Sequence, residues 1–297
     1  MLHVAYGLQA TGYPSSDDGL RASAYSLPVS SAAQATADSP TADPPTADCR
    51  LPTAARSRSR FPVPGSRYIP SVPTTRIFLV RHGATQLTAE NRFSGAVGVD
   101  LSDEGRWQAA QLGERLRNER ISAVYSSPLS RTMETANIIS KSCEVEPVSR
   151  DGLREISHGR WEGLTRAEVE AQFGDEYASW EEDPFTFAPE GGESGVAVLA
   201  RALPVIREIV TNHQGERVLV VSHKATIRIL LSSLLGFDAR GYRDRLDQAP
   251  ACLNVLDFKD AVRARLMLFN DTSHYAHQAR PAQGNLSRWW DAAAQQG

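Results

Sequence analysis

Three short apolar runs in this sequence end in residues that can bind and transfer an anion. IFLV at 77–80 leads into Arg81-His82-Gly83, AVYSS at 123–127 into Pro128 and Arg131, and VLVV at 218–221 into Ser222-His223-Lys224. Unbroken apolar runs of this length read as buried strands, and in sheets of buried strands ligands sit beyond the carboxyl ends. Two arginines, two histidines and a lysine are then aimed at one mouth. Helices predicted to begin after residues 129 and 224 add backbone N–H groups and positive dipole ends. Guanidinium forks match tetrahedral phosphate oxygens in a way that an ammonium does not, so the paired arginines favour a phosphoryl group over a simple carboxylate.

The elements that must position these groups are legible from periodicity and capping. Ser102 precedes Asp103 and Glu104 as an N-cap with first-turn acids, and Ala109, Leu112 and Leu116 fall on one helical face. Trp107, on the same helix, is expected in the core. Residues 130–141 read as a helix, as do stretches near 165–182 and 193–212, the latter kinked at Pro204. Ile227, Leu230, Leu231, Leu234 and Leu235 trace another apolar face. LNVLDF and ARLMLF, on either side of Asp260, read as a hairpin. Strands alternating with helices predict an α/β fold, a three-layer α/β/α sandwich with a mainly parallel sheet, as one domain over residues 74–275.

Residues 1–73 are dominated by Ala, Ser, Thr, Pro and Gly and are expected to be a disordered low-complexity tail, and 276–297 a C-terminal tail. The first of these lacks the blocks of a secretory signal, and its aspartates do not suit a transit peptide. The 297 residues are 41% apolar, with a formal net charge of −3 and a pI near 6.2, which implies neither a nucleic-acid partner nor an anionic membrane. No run approaches the roughly 20 apolar residues of a membrane span, so a soluble protein is expected, and the cysteine usage suits a reducing, cytoplasmic location. Cys49, Cys143 and Cys252 read as free thiols. His3, His213 and His277 have no constellation around them in sequence.

Seven segments carry a family resemblance: RHGATQLTAENRFSG, VDLSDEGRWQA, SSPLSRTMETA, LREISHGRWEGLT, GGES, VSHKATIR and NDTSH. In this order they resemble the histidine phosphatase superfamily, also called phosphoglycerate mutase-like, in its branch with the RHG signature. The resemblance spans about 77–274. It implies His82 as nucleophile, Arg81, Arg131 and His223 as the phosphate pocket, Glu155 as proton donor and Thr85 as a hydroxyl close to the phosphate. It implies a phosphohistidine intermediate in the hydrolysis of a small phosphorylated metabolite, with no metal and no cofactor. A neutral imidazole can attack phosphorus while its other nitrogen is held by a backbone carbonyl, and surrounding cations stabilise the equatorial oxygens. A homodimer is compatible with all of this.

Lys224 stands where many relatives have Gly; it is read either as a charge at the pocket rim or as a solvated residue at a helix start. His158 and Trp161 either border the substrate or pack, and Gly191-Gly192-Glu193-Ser194 either shapes a substrate loop or supplies a helix cap. Mutases of the family carry Asn in place of Thr88, Arg in place of Ile156, and consecutive arginines in place of Trp180-Glu181-Glu182, so the equivalent surface here is expected to be acidic. The segment between Trp180 and Gly191 is also short, which favours hydrolysis over isomerisation. A phosphoglycerate mutase and a catalytically silent phosphate-binding module are the alternatives. The GRWEGLT and GGES segments resemble those of enzymes acting on sugar phosphates, phosphoglycerate derivatives and nucleotide-loop phosphates.

Overall fold

A computed structural model describes residues 73–86, 92–95, 98–276 and 288. The expectations for the two tails, and those for His3, Cys49, Thr88 and His277, lie outside the described residues.

The apolar runs form the middle of a six-stranded sheet. β1 (Thr75–Arg81) pairs in parallel with β4 (Arg217–Ser222). On the far side of β4 lies β2 (Ala123–Ser126), also parallel, followed by the three-residue edge strand β3 (Pro147–Ser149). On the other flank of β1, β5 (Leu253–Phe258) and β6 (Ala264–Asp271) are antiparallel, so the order is β3-β2-β4-β1-β5-β6. Four parallel strands with an antiparallel hairpin at one edge make the sheet mainly parallel. β1 and β4 have helices over both faces, which is why they read as continuous apolar runs.

Side chains alternate across the sheet. Ile77, Leu79, Val218 and Val220 face one layer of helices, α5 (Gly195–Asn212) and α6 (Lys224–Leu235). Phe78, Val80, Leu219 and Val221 face the other, α1 (Asp103–Leu116) and α2 (Ser130–Ser140). The result is a three-layer α/β/α sandwich. Ser102 caps α1 through a bond from the Gly105 N–H. α5 runs on through Pro204, which lies on its exposed side, where the carbonyl freed by the missing N–H can turn to water.

Three shorter helices follow in the described residues outside these two layers. The stretch 165–182 is two helices, α3 (Arg166–Gln172) and α4 (Gly174–Glu182), broken at Phe173. α3 begins with a capping box between Thr165 and Glu168. With α4 it buries an aromatic cluster of Phe93, Trp161, Val169, Tyr177 and Trp180. The four-residue α7 (Tyr242–Arg245) leads into the loop before β5. Trp107 is not in the core: it is 50% exposed and meets Tyr275 edge-on.

Candidate active site

The register of the sheet brings three strand ends level. Arg81 lies opposite Ser222, and Ser126 opposite Val221. The backbone N–H groups of His82 and Ser127 continue the ladder, donating to Ser222 and Val221. Past this point β1 turns sharply at Gly83. A Cβ there would sit 2.4 Å from the Gly105 carbonyl oxygen, so only glycine lets the start of α1 approach the turn. The N–H of Gly83 donates to Thr135 Oγ1 (3.1 Å) and that of Ala84 to Gln108 Oε1 (3.0 Å), tying the turn to α2 and α1.

His82 is buried, and its Nδ1 lies 2.8 Å from the Gly83 carbonyl oxygen. A carbonyl only accepts, so Nδ1 carries the proton and the lone pair is on Nε2. Burial first, then the Arg81 and Arg131 charges, hold its pKa well below the ordinary range, so the ring is neutral at neutral pH. The ring of His223 lies edge-on at 5.2 Å. Its pKa is also pushed far down, by burial and then by Arg131, His82 and Arg81. Nε2 of His223 lies 2.8 Å from Ser127 Oγ, and its Nδ1 is buried with no hydrogen-bond partner among the described residues.

Arg81 is buried and donates from Nη1 to the Gln248 carbonyl oxygen (2.7 Å). The loop that offers this carbonyl is pinned by buried Asn254, which exchanges bonds with the Gln248 side chain and donates to the Leu79 carbonyl oxygen. Cys252 is a free, buried thiol in the same cluster, and burial pushes its pKa up to about 12. Arg131, also buried, donates from Nη2 to the Gly95 carbonyl oxygen (2.8 Å). Thr85 is buried beyond the turn, its backbone bridged to Leu101.

Glu155 comes to the same place from the loop after β3. Its Oε1 accepts from the N–H groups of Ile156 and Thr226, and its Oε2 from that of Ala225, so the carboxylate rests on the first turn of α6. Arg201 clamps the loop from behind, donating to the carbonyl oxygens of Gly152, Arg154 and Glu155 while paired with Glu193. Glu193 thus braces the loop, and Ser194 caps α5. The charge of Glu155 bears on both Arg81 and Arg131.

The structure therefore brings together Arg81, His82, Arg131, Glu155 and His223. Lys224 stands at the first position of α6, its side chain 35% exposed and 3.3 Å from Asp247. Trp161 is fully buried in the aromatic cluster, and His158 packs edge-on against Phe93 at 4.9 Å. His213 has partners that its sequence neighbours did not reveal: Tyr125 Oη at 2.9 Å and Glu216 at 2.7 Å. The expected acidic surface is partly neutralised, since Glu181 pairs with Arg243, whose guanidinium lies 4.2 Å over the Trp180 ring. Ile156 is buried against Val198, Ile229 and Tyr242, away from solvent. Ser127, Thr135, Arg201 and Arg228 were not singled out from sequence. Among the described residues no helix is long and apolar enough to cross a membrane, and no three His, Cys, Asp or Glu side chains form a metal-binding group.

Comparison with known proteins agrees with this geometry. The family model of the histidine phosphatase superfamily (branch 1) matches residues 77–272. Phosphoserine phosphatase 1 of Hydrogenobacter thermophilus is 34% identical over 163 residues, 55% of this chain and 77% of that protein. The metal-independent phosphoserine phosphatase of Arabidopsis thaliana is 32% identical over 225 residues, 74% of this chain and 89% of that one. The native structure of mycobacterial glucosyl-3-phosphoglycerate phosphatase aligns with a TM-score of 0.61 at 30% identity, covering 66% of this chain and 99% of that chain. With its matched segment taking in both the sheet and the cationic pocket, the chain belongs to the histidine phosphatase superfamily, branch 1, and is an enzyme of the phosphatase class.

Proposed function

We propose that the chain is a metal-independent phosphomonoesterase that hydrolyses a small phosphorylated metabolite through a phosphohistidine on His82. The observation that carries this is the state of His82: neutral, its proton fixed on Nδ1 by the Gly83 carbonyl, and its free Nε2 set among Arg81, Arg131 and His223. The two guanidiniums take the phosphoryl oxygens and stabilise the charge on the transferring group. Nε2 attacks phosphorus as the bond to the ester oxygen breaks, and Glu155 gives that oxygen a proton. In the second half water attacks phosphorus, Glu155 takes its proton, the P–N bond breaks, and inorganic phosphate leaves with His82 neutral again. Cations supplied by the chain do the electrostatic work that a metal ion does elsewhere.

Rapid quench during turnover of p-nitrophenyl phosphate tests the covalent step. Phosphate is expected on His82 in an acid-labile, alkali-stable linkage, absent from His82→Ala, and turnover is expected to persist in EDTA. An adduct mapped to another residue, or full turnover by His82→Ala, would refute the mechanism even with hydrolysis confirmed.

A further inference from the structure

The end of α6 nearest the pocket carries two cations that the proposed reaction leaves unused. Lys224 and Arg228 are four residues apart and share one face of the helix. Both reach the same atom: Asp247 Oδ1 lies 3.3 Å from Lys224 Nζ and 3.1 Å from Arg228 Nη2. The Arg228 side chain is only 6% exposed and its Nε is buried with no hydrogen-bond partner among the described residues, whereas the Asp247 side chain is 69% exposed. A deeply buried guanidinium is thus held by a carboxylate from the solvent side.

Both cations border the phosphoryl pocket. Lys224 follows His223 directly, and Asp247 precedes Gln248, whose carbonyl holds Arg81. Burial, then the charges of Arg228 and Arg81, push the Lys224 pKa down to about 7 against the opposing pull of Asp247. The atom held between ammonium and guanidinium is a carboxylate oxygen, so the spacing suits that group. A second phosphoryl dianion would need further cations, and the positions considered for them hold buried Ile156 and a Glu181 paired with Arg243.

Building on the phosphatase reading, we propose that Lys224 and Arg228 form a subsite for a carboxylate carried by the substrate beside its phosphate ester, and that Asp247 occupies this place in the free enzyme. On binding, the substrate carboxylate takes over the two donors and Asp247 turns out to water, which already covers most of it. The exchange leaves the buried guanidinium paired throughout, because one carboxylate replaces another at the same donors. The substrate class is therefore a phosphomonoester with a neighbouring carboxylate.

The test uses two substrate pairs that differ by that group, 3-phosphoglycerate with glycerol 3-phosphate and phosphoserine with phosphoethanolamine, and takes the ratio of kcat/KM within each pair. The wild-type ratio should favour the carboxylate. Arg228 is too buried to replace without risk to folding, so the variants are Lys224→Met and Asp247→Asn. Lys224→Met should lower the ratio about tenfold, the worth of one charge-assisted bond, and Asp247→Asn should raise it by replacing the competing carboxylate with a neutral acceptor that a substrate carboxylate displaces more readily. A ratio near one in the wild type, or ratios unchanged in both variants, overturns the subsite. Failure of the wild type to hydrolyse even p-nitrophenyl phosphate would instead count against the phosphatase reading. The subsite is then judged by calorimetric Kd values for 3-phosphoglycerate and glycerol 3-phosphate, with the same shifts expected in the variants and their absence again overturning it.

Discussion

Removing one hydroxyl, by Ser127→Ala, tests how His223 is prepared for a phosphoryl group. Ser127 and His223 are both fully buried, and the Oγ to Nε2 distance is 2.8 Å. A phosphate oxygen only accepts, so His223 can bind it through Nδ1 only if that nitrogen carries the proton. A neutral imidazole then has a bare Nε2, and the Ser127 hydroxyl must donate to it. The alanine leaves that nitrogen buried and unsatisfied, at a cost of about 1–3 kcal/mol in stability. For a domain of this size that corresponds to a fall in Tm of about 2–12 °C. It also frees the ring to move its proton or turn. Full loss of a donor to a transferring group costs about 10²–10³ in rate, and partial loss should reduce kcat/KM by about 10–100-fold, or about 1.4–2.7 kcal/mol. Because the defect lies at the phosphoryl end, p-nitrophenyl phosphate and an alkyl phosphate should slow by the same factor. A variant that melts early yet keeps wild-type kcat/KM would show that the hydroxyl only supports packing, and the tautomer argument would fall.

Glu155→Gln should slow alkyl phosphates by about 10²–10⁴ and p-nitrophenyl phosphate much less, since a phenolate departs without a proton; equal losses on both would remove Glu155 from that role. Folded pKa values of His82, His158 and His223 lie below the unfolded value near 6.5, so stability is insensitive to these groups above that pH and falls below it as the unfolded chain takes up protons that the native one refuses. Each such histidine contributes about 1.4 kcal/mol per pH unit, and urea unfolding between pH 5 and 6.5 should show a shallower slope in His82→Asn than in the wild type, parallel slopes counting against a buried neutral His82. A chain beginning at residue 74 should keep its Tm and kcat to within experimental error, because the first strand begins at Thr75 and the preceding composition offers little to a core; a collapse of either would show that the earlier residues pack on the domain.

How much of the fold was legible depended on burial. β1 and β4 are sandwiched between helices, so every residue of their apolar runs had to be apolar, and the runs announce themselves. β3 gave no such signal: it is three residues at a sheet edge, begins with proline and leaves Val148 exposed. The break at Phe173 was hidden because both flanking helices share the helical period, and the turn between them sends Phe173 toward the aromatic cluster. Trp107 shows residue type outweighing position. The buried stripe of α1 is Gly105, Gln108, Ala109, Leu112, Gly113 and Leu116, and Trp107 lies on the opposite face.

In the site, the histidines and arginines were legible because each follows a strand or opens a helix within a few residues. Their partners were not, since Ser127 meets His223 across 96 positions and Arg201 reaches the Glu155 carbonyl across 46. The most consequential partners have no side-chain signature at all. Arg81 is anchored by the carbonyl of Gln248, Arg131 in part by that of Gly95, and His82 by that of Gly83. A carboxylate in any of these places would fix the geometry equally well but cancel the charge. Neutral acceptors orient the guanidiniums while leaving their charge for a ligand, and that charge adds to burial in lowering the pKa of both histidines. Sequence identifies the cations of such a pocket, and the backbone decides that they stay available to an anion.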